Sequence, residues 1–141
     1  MKIKKLISFI NIFLFCILLS TANTFAHEGA KGIIKERMDK FKESKQLMKK
    51  INVGLQNNNF KVIEESAQML LLWSKEMHKF FPKGSDVSPS EASSDIWLNP
   101  EGFSKAIKNF ELASLELINQ SNTSDRDKTI NAFRNLAGTC K

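Results

Sequence analysis

Apolar residues recur along this chain at steps of three, four and seven, the spacing of one helix face, and no strand-like alternation of any length accompanies them. The first such stretch runs from about Gly32 to Leu55. Ile34, Met38, Phe41, Met48, Ile51 and Leu55 share one side of it, with Lys35, Lys42, Glu43 and Lys49 on the other. Gln56 to Asn59 interrupt the pattern. Asn58 or Asn59 is placed to cap the next helix, because a short amide accepts from the free N–H groups at a helix start. The second stretch runs from about Phe60 to Phe81. Phe60, Ile63, Ala67, Leu70, Trp73 or Ser74, Met77 and Phe80 or Phe81 form its inner stripe, and Pro82 and Gly84 end it. Lys83 to Ile96 carries Ser, Asp and Pro without an apolar period and reads as a long connection.

A third helix opens at Asn99-Pro100-Glu101. Asn is a favoured cap, Pro fits the first helical position, and a carboxylate there suits the helix dipole. Phe103, Ile107, Phe110, Ala113 and Leu117 give its inner face, and Asn119 to Thr123 reads as a polar break. Ser124 with Asp127 resembles a capping box, with Asp in place of the usual Glu. The fourth helix then sets Ile130, Phe133, Ala137 and Cys140 on one face. Four amphipathic helices, two short turns and one longer connection between the second and third predict an all-α fold, a mostly antiparallel four-helix bundle.

The first 26 residues follow other rules. Lys2, Lys4 and Lys5 precede an apolar run from Leu6 to Leu19, and Ser20 to Ala26 is small and polar, ending Thr24-Phe25-Ala26. That is the layout of an export signal, with cleavage expected after Ala26. The 14-residue run is short of the roughly 20 residues a spanning helix needs. The expected organisation is a signal over 1–26 and one domain over 27–141. The composition then changes meaning. Of 141 residues with a charge of +6, cleavage leaves 115 with a charge of +3, because three lysines and no acidic residue depart. The remaining charge is spread along the chain, which gives nucleic-acid or membrane binding little support. Cys16 departs as well, leaving Cys140 as the single thiol of an exported chain. It has no internal disulfide partner, so it is expected to be free, bridged between molecules, or attached to something else.

No hydrolytic constellation stands out, and the chain is not read as an enzyme. His27 and His78 are far apart and read as surface histidines, since a metal site wants more ligands at fixed spacing. Glu64-Glu65 and Asp125 with Asp127 read as solvated or helix-start charges. Ser74 and Ser114 have no partner base. Cys140 admits two readings: a buried core cysteine, or the opening of Cys-x-x-Cys-His, the motif that attaches c-type haem through two thiols and a ligating histidine.

Four segments in order carry a resemblance. They are Arg37-Met38-Asp39-Lys40-Phe41 followed by Met48-Lys49-Lys50-Ile51; Phe80-Phe81-Pro82-Lys83-Gly84-Ser85; Ile96-Trp97 followed by Phe103 and Phe110; and Asn135-Leu136-Ala137-Gly138-Thr139-Cys140-Lys141. Together they resemble the cytochrome c prime family (cytochrome c'), the class II c-type cytochromes, over nearly the whole mature chain. The resemblance implies a periplasmic four-helix bundle holding haem c for electron transfer or for binding a small gas such as nitric oxide, often as a homodimer. It implies Cys140 as the first haem-bonding cysteine and Arg37 as the partner of a haem propionate. Phe41 falls in the distal pocket, where phenylalanine cannot ligate iron, so an open or apolar distal face is expected. Met38 and Met48 are offset by three and seven residues from that position. The sequence stops at Lys141, before the motif's second cysteine and its proximal histidine. The expectation is an incomplete C-terminus, from a frameshift or a truncated gene model, and His78 is not expected to substitute as a ligand. The alternative is a haem-free periplasmic bundle acting as an interaction or stress protein.

Overall fold

The computed structural model describes residues 30–140, and the export signal read over 1–26 lies outside them. Four long helices form where the apolar periods predicted them. They are α1 (Gly32–Gln56), α2 (Phe60–Glu76), α4 (Pro100–Asn122) and α5 (Arg126–Gly138). A 3₁₀ turn, Met77–Phe80, tightens the end of α2, and a single-turn helix α3 (Asp95–Leu98) precedes α4. Around the bundle α1 packs on α2, α2 on α4, α4 on α5, and α5 back on α1. The predicted antiparallel four-helix bundle, with its longer connection between the second and third long helices, is the fold.

Caps fix where the helices start. The Asn59 side chain accepts from the N–H of Val62 at 3.2 Å, that of Asn99 from Gly102 at 2.9 Å, and that of Asp125 from Lys128 at 3.0 Å. Each satisfies a donor that the helix cannot satisfy itself. The last of these corrects the expectation of a Ser124 cap. Ser124 instead turns the chain, with φ at +56°, and the cap falls one residue later.

The core is built from Leu47, Ile51, Leu55, Ile63, Ala67, Leu70, Trp73, Met77, Phe110, Leu117, Ile118, Ala132 and Leu136. Burying one such large side chain is worth about 1.5–3 kcal/mol. Gly54 lets α1 and α2 meet closely near their shared turn. A Cβ at that position would lie 2.8 Å from Ile63 Cγ1 and 3.3 Å from the carbonyl of Asn59.

Three faces differ from the sequence pattern. α4 continues into the expected break as far as Asn122, with Thr123 as its C-cap, because buried Ser121 donates its hydroxyl to Ile118 O at 2.8 Å and so can stay on the inner side. The fully buried stripe of α5 is Thr129, Ala132 and Leu136; of the expected face one residue further on, Ile130 and Phe133 are half-buried against the same core, Ala137 is half-buried and Cys140 is exposed. Thr129 satisfies itself by donating to Asp125 O at 2.6 Å and to Gln120 O at 3.2 Å. Phe41, expected in the inner stripe of α1, is 47% exposed, and that exposure belongs to the site.

Candidate functional site

Hydrogen bonds from an arginine, together with the packed ring of Phe81, hold the connection after α2 in place. Arg37 is buried on the inner side of α1, 3% exposed. Its terminal nitrogens donate to Phe80 O and Ser85 Oγ at 3.0 Å, to Ser85 O at 2.8 Å and to Ser90 Oγ at 2.7 Å. Its guanidinium carbon also lies 4.6 Å from the centroid of the Phe81 ring. Burial pulls its pKa below the ordinary value, but a guanidinium keeps its charge. This one side chain pins the start of the 81–94 connection to α1. Trp97 secures the same segment from the other side, donating its indole N–H to the carbonyls of Phe81 and Pro82 at 3.1 Å.

The pinned segment sets Phe81 among other rings. Phe81 stands edge-on to Phe103 at 4.9 Å and to Phe41 at 6.4 Å. Phe41 in turn stands edge-on to Trp73 at 5.8 Å, and Trp73 to Phe80 at 5.0 Å. Such edge-to-face pairs are favourable beyond the area they bury.

Beside these rings opens a cavity of about 530 Å³, inside the roughly 300–1,000 Å³ range of small-molecule sites. Phe41 and Met48 of α1, Leu70 and Trp73 of α2, Met77, and Phe103, Ile107 and Phe110 of α4 form its walls. Ala137, Thr139 and Cys140 close its end. Lys45 is the charged residue among the lining side chains described. Cys140 is exposed at this edge, with Sγ 3.8 Å from Leu136 O. Loss of hydration against the wall pushes the thiol pKa up, and a hydrogen bond with Thr139 works the other way.

The structure therefore brings Phe41 and Cys140 to one cavity. Arg37 lines an adjoining space of about 370 Å³ with Met38, Phe81 and Ser90, and Phe41 borders both. His78 sits exposed on the 3₁₀ turn and is not among the lining residues, and His27 lies outside the described residues. Lys45 is the site residue that the sequence reading missed. Its signal was present, since it lies one helical turn after Phe41 and so shares its face.

A family model described as Cytochrome C' matches residues 32–141. The chain belongs to the cytochrome c' family. Solved structures agree on the fold. The cytochrome c' from Thermochromatium tepidum aligns with a TM-score of 0.69 at 19% identity, covering 77% of this chain and 87% of that one. The cytochrome c' from Rubrivivax gelatinosus gives 0.67 at 23% identity, covering 77% and 88%. A third, described as a cytochrome c' with an unusual ligand-controlled dimer dissociation, gives 0.71 at 20% identity, covering 77% and 87%. No curated protein matches the chain.

Family and fold together support a haem c-type protein. The cavity fits the organic part of that group. It offers apolar and aromatic walls for a flat macrocycle, a thiol on the rim for thioether attachment, and one ammonium for a carboxylate. Among the described residues no group of three or more His, Cys, Asp or Glu is placed to hold a metal ion. No described helix is long and apolar enough to cross a membrane.

Proposed function

We propose that this member of the cytochrome c' family is exported to the periplasm, carries haem c attached through Cys140, and binds a small neutral gas. The observation that carries the reading is that Phe41 and Cys140 line the same apolar cavity. Haem c supplies the iron that holds a diatomic gas and exchanges an electron with a redox partner. The chain's own residues do the rest. Cys140 offers the thiol for a thioether bond. Trp73, Phe103 and Phe110 exclude water from the ring faces. Phe41 presents a hydrocarbon ring with no ligating atom, which would leave its side of a bound haem to a small apolar guest.

Export follows from the basic, apolar and small segments over 1–26, with the mature chain beginning at His27. A second copy of the chain is the expected partner, an idea supported by the relative described by its dimer dissociation.

The experiment is a spectral titration of the reduced, haem-loaded protein with carbon monoxide and nitric oxide. A shifted Soret band with either gas supports the reading. A spectrum indifferent to both overturns it, and would indicate a closed electron carrier instead.

A further inference from the structure

Within the haem reading, the chain has to place two acidic side arms of the porphyrin, and two basic residues compete for that task. Arg37 has little left to give. Its four hydrogen bonds to Phe80, Ser85 and Ser90 engage both terminal nitrogens, leaving only the Nε–H of its five donors. Withdrawing it would strand buried acceptors, and a buried hydrogen-bonded group is costly to unpair. It lines the smaller space beside Phe81, and Cys140 is not among the residues lining that space.

Lys45 differs on each point. It lines the 530 Å³ cavity together with Cys140. No carboxylate of the described residues lies within 4.0 Å of it, so its ammonium is not engaged, as also holds for lysines that do not line the cavity, such as Lys42 and Lys49. It is exposed, so its long side chain can lay methylenes on the apolar wall and keep the ammonium at the mouth.

We propose that Lys45, and not Arg37, is the cation that receives a porphyrin carboxylate in this chain, while Arg37 is a positioning residue for Phe81 and the connection after α2. The contact is an ion pair at the cavity mouth, with no bond made or broken.

The test uses the full chain produced in a host without haem-attachment machinery, titrated with iron-free protoporphyrin IX and followed by porphyrin fluorescence. Its dimethyl ester, which lacks both charges, is the second probe. Lys45→Gln should weaken binding of the diacid about fivefold at low salt, the size of a good exposed ion pair. It should leave the ester unchanged. The difference should shrink at 1 M salt, where the screening length is about 3 Å. Wild-type affinity retained by Lys45→Gln overturns the inference alone, as does an equal loss for acid and ester. Failure of the wild-type chain to bind either porphyrin overturns the haem reading and this inference with it.

Discussion

Arg37 donates to Ser85 twice, to its hydroxyl at 3.0 Å and to its carbonyl at 2.8 Å, across 48 positions of sequence. One arginine on α1 thus holds the Ser-rich connection, together with the packed ring of Phe81. Replacing it with methionine keeps the bulk but leaves buried acceptors unpaired, so the expected cost is about 2–4 kcal/mol in urea unfolding. Lysine should recover little of this, because a point charge cannot span four acceptors. Losing the Phe80, Ser85 and Ser90 contacts would also loosen Phe81, visible as a changed emission of Trp97, whose ring centroid lies 6.2 Å from that of Phe81.

The approach of α1 to α2 at Gly54 makes a different prediction. Alanine there gains helix propensity of up to about 1 kcal/mol. Against that, the new methyl meets Ile63 Cγ1 at 2.8 Å, and Ile63 is fully buried with nowhere to move. Overpacking costs about 1–3 kcal/mol, so Gly54→Ala should lower stability by about 1 kcal/mol in urea denaturation. A neutral or stabilising result would mean that the two helices separate easily.

Cys140 supplies a pH prediction. Loss of hydration raises its thiol pKa in the folded chain, so the thiolate, which is the reactive form, is scarcer at neutral pH than in a free cysteine. Iodoacetamide alkylation before haem attachment should be slow at pH 7. It should keep rising beyond the ordinary thiol pKa of about 8.5. The sign for stability is the matching one. The contribution is present below the unfolded thiol pKa and is lost as pH climbs through the raised folded value. Protoporphyrin IX in the cavity should slow the alkylation further.

Asp125 works in the opposite direction at the start of α5. Its pKa is lowered, first by the backbone N–H of Lys128 and then by the Lys128 side chain, whose Nζ lies 3.2 Å from Oδ2. The stabilisation is therefore present above the ordinary aspartate value of roughly 3.9 and is lost as pH falls through the lowered folded value. Asp125→Asn keeps an acceptor for the cap but removes the charge. Thermal melts of this variant should be less sensitive to acid than those of wild type across that window.

The helices were legible because burial imposes a period on them, and Ile51, Ile63, Leu70 and Leu117 fall where that period puts them. Two kinds of residue escaped it. Thr129 and Ser121 are buried yet polar, and nothing in their identity announces that a nearby carbonyl satisfies them. Taking Ile130, Phe133 and Ala137 as the core face therefore rotated α5 by one residue. Arg37 escaped for the same reason, with acceptors 43, 48 and 53 positions away. The family was legible from ordered segments. The cavity was not, because it depends on the exposed ring of Phe41 and on Lys45 meeting α4 and α5, which only the packed bundle brings together.

The most direct measurement is covalent haem itself. The full chain is expressed with its export segment in a bacterium that has c-type attachment machinery. The purified protein is then assayed by pyridine haemochrome spectrum and by mass spectrometry of the peptide containing Cys140. The account predicts a c-type haemochrome and a haem mass adduct on the Cys140 peptide. Protein with no Soret band and an unmodified Cys140 would contradict it.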